Sequence, residues 1–189
     1  DNEKLDIYYK GKLVLSDYET ARKKSEKNPY EDLAIAELEG HTVGKDEEKT
    51  DAVTIIKKLG KDDAIYGLGD KPGCLNKRGY SYVNWNTDDP APHVDSFKSL
   101  YKSIPFFIVL GDEYCYGIFA DNTYKTTFDF GYENTDYYFV EHEKGELDYY
   151  FMPGNDMAEV VGLYTSMTGT TPLYQRWIYG SHQSRWGYY

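Results

Sequence analysis

The stretch Pro105-Phe-Phe-Ile-Val-Leu-Gly-Asp-Glu-Tyr-Cys-Tyr-Gly-Ile-Phe-Ala120 decides the fold class. Pro105 to Leu110 and Cys115 to Ala120 are short apolar runs rich in aromatic and β-branched residues, and they read as strands. Gly111-Asp112 turns the chain between them. The same grammar extends outward. Upstream, strands are predicted at Ala52 to Leu59, Ala64 to Leu68 and Tyr80 to Trp85, the first two joined by the turn Gly60-Lys61-Asp62-Asp63. Further back, Asp6-Ile-Tyr-Tyr9 and Leu13-Val-Leu15 flank Lys10-Gly11-Lys12 as a hairpin. Downstream come Lys125 to Phe130, Tyr137 to Glu141 and Leu147 to Met152, with Lys144-Gly145 as a turn. Strands at this spacing, with no helix between them, predict an all-β fold, an antiparallel β-sandwich.

Three stretches near the N-terminus are less decided. Thr20 to Asn28 and Gly44 to Thr50 are charge runs that read as solvated surface, and Leu33 to Leu38 fits a strand or a short helix equally. At the other end the pattern changes. Asp156 caps a predicted helix from Met157 to Thr168, with Val160, Val161, Tyr164 and Met167 on one face and Gly169 as its stop. An aromatic-rich segment, Leu173 to Tyr189, follows. A lone helix and then one apolar strand is how an α/β domain begins, so the chain reads as the front end of a longer protein. Its start at Asp1, without Met, fits a cut piece.

Composition bounds the function. The 189 residues carry a net charge of −11, which argues against nucleic acid and anionic membrane as partners. No apolar run approaches the ~20 residues of a membrane span. Aromatic residues make up 17% of the chain, with 21 Tyr, and Tyr and Trp suit sugar-facing surfaces. Cys74 and Cys115 read as two buried free thiols of a reducing compartment, with a single disulfide as the alternative and the cytoplasm as the default. His41, His93, His142 and His182 lack metal-ligand spacing, and no cofactor or metal is expected. Gly67-Leu-Gly69-Asp-Lys-Pro-Gly73 has the wrong spacing for a dinucleotide loop and reads as a turn. Trp85-Asn-Thr-Asp-Asp89-Pro90 is either an Asx-type turn or a loop that sets a carboxylate beside an indole, an arrangement suited to a sugar.

Seven stretches together resemble glycoside hydrolase family 31, the α-glucosidase and α-xylosidase family. They are Ile65-Tyr-Gly-Leu-Gly-Asp-Lys71, Tyr82-Val-Asn-Trp-Asn-Thr-Asp88, Ser103-Ile-Pro-Phe106, Tyr116-Gly-Ile-Phe-Ala-Asp-Asn122, Phe128-Asp-Phe-Gly131, Leu147-Asp-Tyr-Tyr-Phe151 and His182-Gln-Ser-Arg-Trp-Gly-Tyr188. They occur in the family's order over residues 50–189, with Asp70 where Glu is more usual. The resemblance implies a galactose-mutarotase-like sandwich over residues 1–153. Residues 154–189 would be a connecting helix and the start of a truncated (β/α)₈ barrel, its first strand within Arg176 to Tyr188. The family's catalytic Asp pair lies on later barrel strands, so no catalytic residue is expected in this chain. The one functional residue that carries over is Asp88, which implies hydrogen bonding to substrate hydroxyls at the pocket rim. Trp85 and Asn86 are expected to shape its loop, and His182 and Arg185 to be structural. The partner implied for the intact enzyme is an α-linked oligosaccharide. The chain alone is expected to be inactive, to bind sugar weakly or not at all, and to self-associate through Leu173, Tyr174, Trp177, Ile178, Tyr179 and Trp186. The alternatives are a stand-alone carbohydrate-binding sandwich module and an aldose epimerase.

Overall fold

The computed structural model describes residues 4–18, 52–89 and 92–183. The expectations for Thr20 to Asn28, Leu33 to Leu38, Gly44 to Thr50, Arg185 and Trp186 fall outside them. The chain opens on a hairpin, β1 (Asp6–Tyr9) and β2 (Lys12–Ser16). Lys10 and Gly11 form its two-residue loop with φ of 50° and 79°, as a turn matched to strand twist requires. Eight further strands make two four-stranded antiparallel sheets. They are β3 (Val53–Lys58), β4 (Ala64–Gly69), β5 (Ser81–Asn84), β6 (Ser103–Leu110), β7 (Cys115–Ala120), β8 (Thr126–Asp129), β9 (Tyr137–His142) and β10 (Tyr149–Gly154). One sheet has the order β10-β7-β6-β4 and the other β3-β9-β8-β5. Each strand predicted between Asp6 and Met152 is present, with ends shifted by at most two residues.

The two sheets close on an aromatic core. Phe107 of β6 meets Phe130 at 4.9 Å, Tyr138 edge-on at 5.5 Å and Phe128 edge-on at 6.0 Å, the last two from the opposite sheet. Tyr116 and Tyr138 are both fully buried, and their hydroxyls satisfy each other across the core at 3.3 Å. Burial pushes both phenols well above their ordinary range. Strand β6 is apolar at consecutive positions because it is covered on both sides. Phe107 and Val109 face the sandwich core, while Phe106 and Ile108 join Cys115, Met152 and Val160 under a helix.

That helix, α1 (Met157–Thr168), has the predicted ends. Asp156 Oδ1 accepts the Glu159 amide at 2.8 Å, and Gly169, at φ 90°, donates its amide to the Thr165 carbonyl. It lies on the outer face of the first sheet. Val160 occupies a notch between Gly117 and Gly154, where a Cβ on either glycine would come within 2.7 Å of the valine. One turn on, Tyr164 stacks on Phe106 at 4.0 Å. Val160 is therefore the buried residue of the helix, with Tyr164 half-buried beside it. Val161 and Met167, expected on the same face, are exposed, because one helix on a flat sheet buries a narrower arc than four apolar positions span.

Three other readings change. Cys74 is exposed, so only Cys115 is the buried thiol expected of both. Gly67-Leu-Gly69 is the end of strand β4, with a register shift, and the turn follows it. Gly67 has φ 131° and lies so close to β6 that a Cβ would sit 2.5 Å from the Phe106 carbonyl oxygen. No helix begins after it. Within Arg176 to Tyr188, the residues Arg176–Tyr179 form a single 3₁₀ turn, 181–183 have no regular structure, and 184–189 lie outside the described residues. Leu173 (93% exposed) and Trp177 (69%) project into solvent there.

Phe107→Ala should lower the unfolding free energy by about 3–5 kcal/mol, the usual cost of an aromatic cavity. Urea denaturation should show a lower midpoint with an unchanged slope. A loss under 1 kcal/mol would mean that the sheets do not meet through this ring.

Candidate functional site

The loop that leaves β5 after Asn84 returns at Lys98, where the Val83 amide donates to the Lys98 carbonyl at 2.8 Å and closes its neck. Two lysines brace that neck. Lys77, only 5% exposed, donates from Nζ to the carbonyls of Lys71 and Pro72, each at 3.2 Å, and lies over the Tyr82 ring. Lys71, held by its backbone, donates from its own Nζ to the carbonyls of Val83 (3.3 Å) and Leu100 (3.4 Å), one on each side of the neck.

Inside the loop the polar side chains are used locally. Asn86 Oδ1 accepts the Ser103 amide at 3.0 Å, tying the loop to the first residue of β6. Ser99 donates its hydroxyl to the Trp85 carbonyl, and Thr87 Oγ1 lies 3.0 Å from Ser99 Oγ. His93 Nε2 contacts the Asp89 carbonyl at 2.8 Å. Among the groups these bonds leave exposed are the Trp85 indole and the Asp88 carboxylate. Asp88 Oδ1 accepts from the Tyr101 hydroxyl at 3.2 Å, and the negative charge of Asp88 pushes the Tyr101 phenol upward. One carboxylate oxygen is thus oriented by a phenol, and the carboxylate as a whole faces solvent. The arrangement can accept hydrogen bonds from neutral hydroxyls. Asn86 shapes the loop through its amide oxygen, whereas Trp85 contributes its carbonyl and leaves its ring free. His182 is placed elsewhere, with Nε2 against the Ile178 carbonyl at 2.6 Å. Among the described residues no three His, Cys, Asp or Glu side chains are gathered to hold a metal ion.

A protein-family comparison is decisive at this point: the glycosyl hydrolase 31 N-terminal galactose mutarotase-like domain matches residues 1–129. The chain belongs to glycoside hydrolase family 31. Its relatives in the family include alpha-glucosidase 2 of Bacillus thermoamyloliquefaciens, 44% identical over 72% of this chain and 17% of that protein. Alpha-xylosidase XylQ of Lactiplantibacillus pentosus is 34% identical over 65% of this chain and 15% of its own length. Among solved structures, the Flavobacterium johnsoniae family 31 dextranase complexed with isomaltotriose superposes with a TM-score of 0.63 at 38% identity, covering 86% of this chain and 17% of the dextranase. The chain therefore spans about a sixth of the length of these family 31 proteins.

Sequence reasoning reached Asp88, Trp85 and Asn86 but not Lys71 or Tyr101. Lys71 ends one of the quoted motifs, yet its spacing gives no sign that it reaches Val83 and Leu100. Tyr101 is one tyrosine among 21.

Burial pushes the Lys71 ammonium down to about 8, with neighbouring Asp70 opposing and Lys77 reinforcing the shift. The unfolded chain keeps this proton up to about pH 10.4. Between about pH 8 and 10.4 the unfolded state thus binds more protons, and the Lys71 contribution to stability rises with pH through that window. With unfolding free energies of the parent chain and of Lys71→Met measured from pH 7 to 10, the difference should shift in favour of the parent above about pH 8. Parallel curves would show that Lys71 is not desolvated.

Proposed function

We propose that this chain is the N-terminal domain of a retaining α-glucosidase-type glycoside hydrolase, supporting the catalytic barrel and contributing the Asp88 loop to the rim of the substrate pocket. The sandwich is residues 1–153, and 154–189 are the connecting helix and the beginning of the barrel. The observation that carries the reading is the braced loop that presents Asp88, oriented by Tyr101, on a chain of this family. Relatives named as α-glucosidases and α-xylosidases, and a dextranase bound to isomaltotriose, support an α-linked oligosaccharide as substrate. The described part contains no helix long and apolar enough to cross a membrane, and the net charge of −11 disfavours polyanions; the cytoplasm is the proposed compartment.

The chemistry is divided between this chain and the barrel. Retention requires two carboxylates, one attacking the anomeric carbon and one protonating the leaving oxygen. Neither is assigned here. Asp88 acts on binding: its carboxylate accepts hydroxyl hydrogen bonds, and the Tyr101 phenol fixes the oxygen that does not turn freely. A hydrogen bond to a charged group contributes ~1.5–3 kcal/mol. The exposed Leu173, Tyr174, Trp177 and Tyr179 form an apolar surface that pairs with a second copy when the chain stands alone.

In the full-length enzyme, Asp88→Ala should lower kcat/KM on maltose about 10–100-fold, since ~1.4 kcal/mol is tenfold. Unchanged kinetics would remove Asp88 from the pocket. The 189-residue chain alone should not cleave a chromogenic α-glucoside, and turnover after rigorous purification would overturn the division of labour. Light scattering of the chain should show mass rising with concentration, and a Leu173→Ser, Trp177→Ser double variant should remain monomeric.

A further inference from the structure

At the end of the sandwich beside the Asp88 loop, the inner face of the second sheet turns from apolar to polar. Tyr82, Phe128 and Val140 lie opposite one another across β5, β8 and β9 and belong to the core. Two residues along, the same face carries Asn84, Thr126 and His142, again in register. All three are buried, and two have unmet hydrogen-bonding capacity. Thr126 donates its hydroxyl to the Tyr124 carbonyl at 2.9 Å, so His142, whose Nδ1 is 2.8 Å away, supplies the proton between them and leaves Nε2 without a partner. Asn84 is 7% exposed, and neither its amide oxygen nor its amide nitrogen has a partner. Across from it, Ser103 Oγ at the start of β6 is likewise unpartnered. Buried polar atoms are almost always satisfied, so such a cluster points to a ligand or solvent that completes it.

Asn84, Thr126 and Ser103 line a cleft of about 430 Å³, within the ~300–1,000 Å³ range of small-molecule sites, and His142 lies behind Thr126 outside its lining. Its walls include Asn84, Trp85, Asn86, Ser103, Pro105 and Tyr124. Every lining residue is neutral, in a chain that is 28% charged. Trp85 and Tyr124 are 54% and 51% exposed. Uncharged walls give an ion or a phosphate no counter-charge. A side-chain amide offering both a donor and an acceptor, a hydroxyl and two open aromatic rings fit a vicinal diol with an apolar ring face.

We propose that this cleft is a second carbohydrate subsite, taking one neutral pyranose unit, with Asn84 and Ser103 on its hydroxyls and Trp85 or Tyr124 against its C–H face. It is separate from the contact proposed for Asp88, although Trp85 and Asn86 belong to both the cleft wall and the Asp88 loop.

The test is a ¹H–¹⁵N NMR titration of the 189-residue chain with methyl α-glucoside and with isomaltotriose. Saturable millimolar binding is expected, with the largest shifts at the Asn84 side-chain amide and the Trp85 indole N–H. Tyr124→Ala and Ser103→Ala, at positions where small substitutions leave the core intact, should weaken binding at least about tenfold. Asp88→Ala should leave it unchanged, so the outcome is independent of the kinetics that test Asp88. No saturable shift, shifts confined to Asp88 and Tyr101, or equal binding of open-chain sorbitol would overturn the proposal.

Discussion

Phe107 fixes the relation of the two sheets, and much else follows from it. Its ring stands between them with three aromatic neighbours, two met edge-on, an arrangement that resists sliding more than aliphatic packing does. Because Phe106 and Ile108 are buried on the other face, a one-residue slip of β6 would exchange the two apolar sets between its covered faces, and Phe107 would lose its three aromatic neighbours. Its first residue, Ser103, is therefore a fixed point. The Asn86 amide hangs on that point, and the loop carrying Asp88 inherits its position from the core.

The lysine pair shows what it costs to keep such a loop in place. A buried ammonium is expensive unless its protons are taken, and here the takers are backbone carbonyls rather than carboxylates. Lys77 gives its protons to the carbonyls of residues 71 and 72, and Lys71 to those of residues 83 and 100. Carbonyls brace the neck, and the Tyr101 phenol orients the outward-facing Asp88 carboxylate.

The elements most legible in the sequence were those set by local physics. Gly111-Asp112, Lys10-Gly11 and Gly60 to Asp63 punctuate strands whose aromatic content leaves little alternative, and Asp156 and Gly169 mark the helix ends to the residue. The width of the helix stripe was not legible, because Gly117 and Gly154, which decide how Val160 seats, are distant in sequence. The same holds at the site. From its own neighbours Asp88 is as good a turn residue as a ligand, and only the family resemblance raised it. Lys71 acts through carbonyls, and a backbone acceptor leaves no mark in the sequence. Asn84 reads as one more polar strand residue until Thr126 and His142 are seen beside it.

The row Asn84–Thr126–His142 also explains why the Asp88 loop needs bracing from outside. An apolar row there would have continued the core and packed the loop base directly. A polar row gives up that packing, and the unpaired amide and imidazole nitrogen add a desolvation cost of about 1–3 kcal/mol per group. Such a loss persists only where the surrounding structure over-determines the geometry. Here Phe107 fixes the core, and the carbonyl-bonded ammonium groups of Lys71 and Lys77 fix the neck of the loop, so the polar end of the sandwich stays open rather than collapsing.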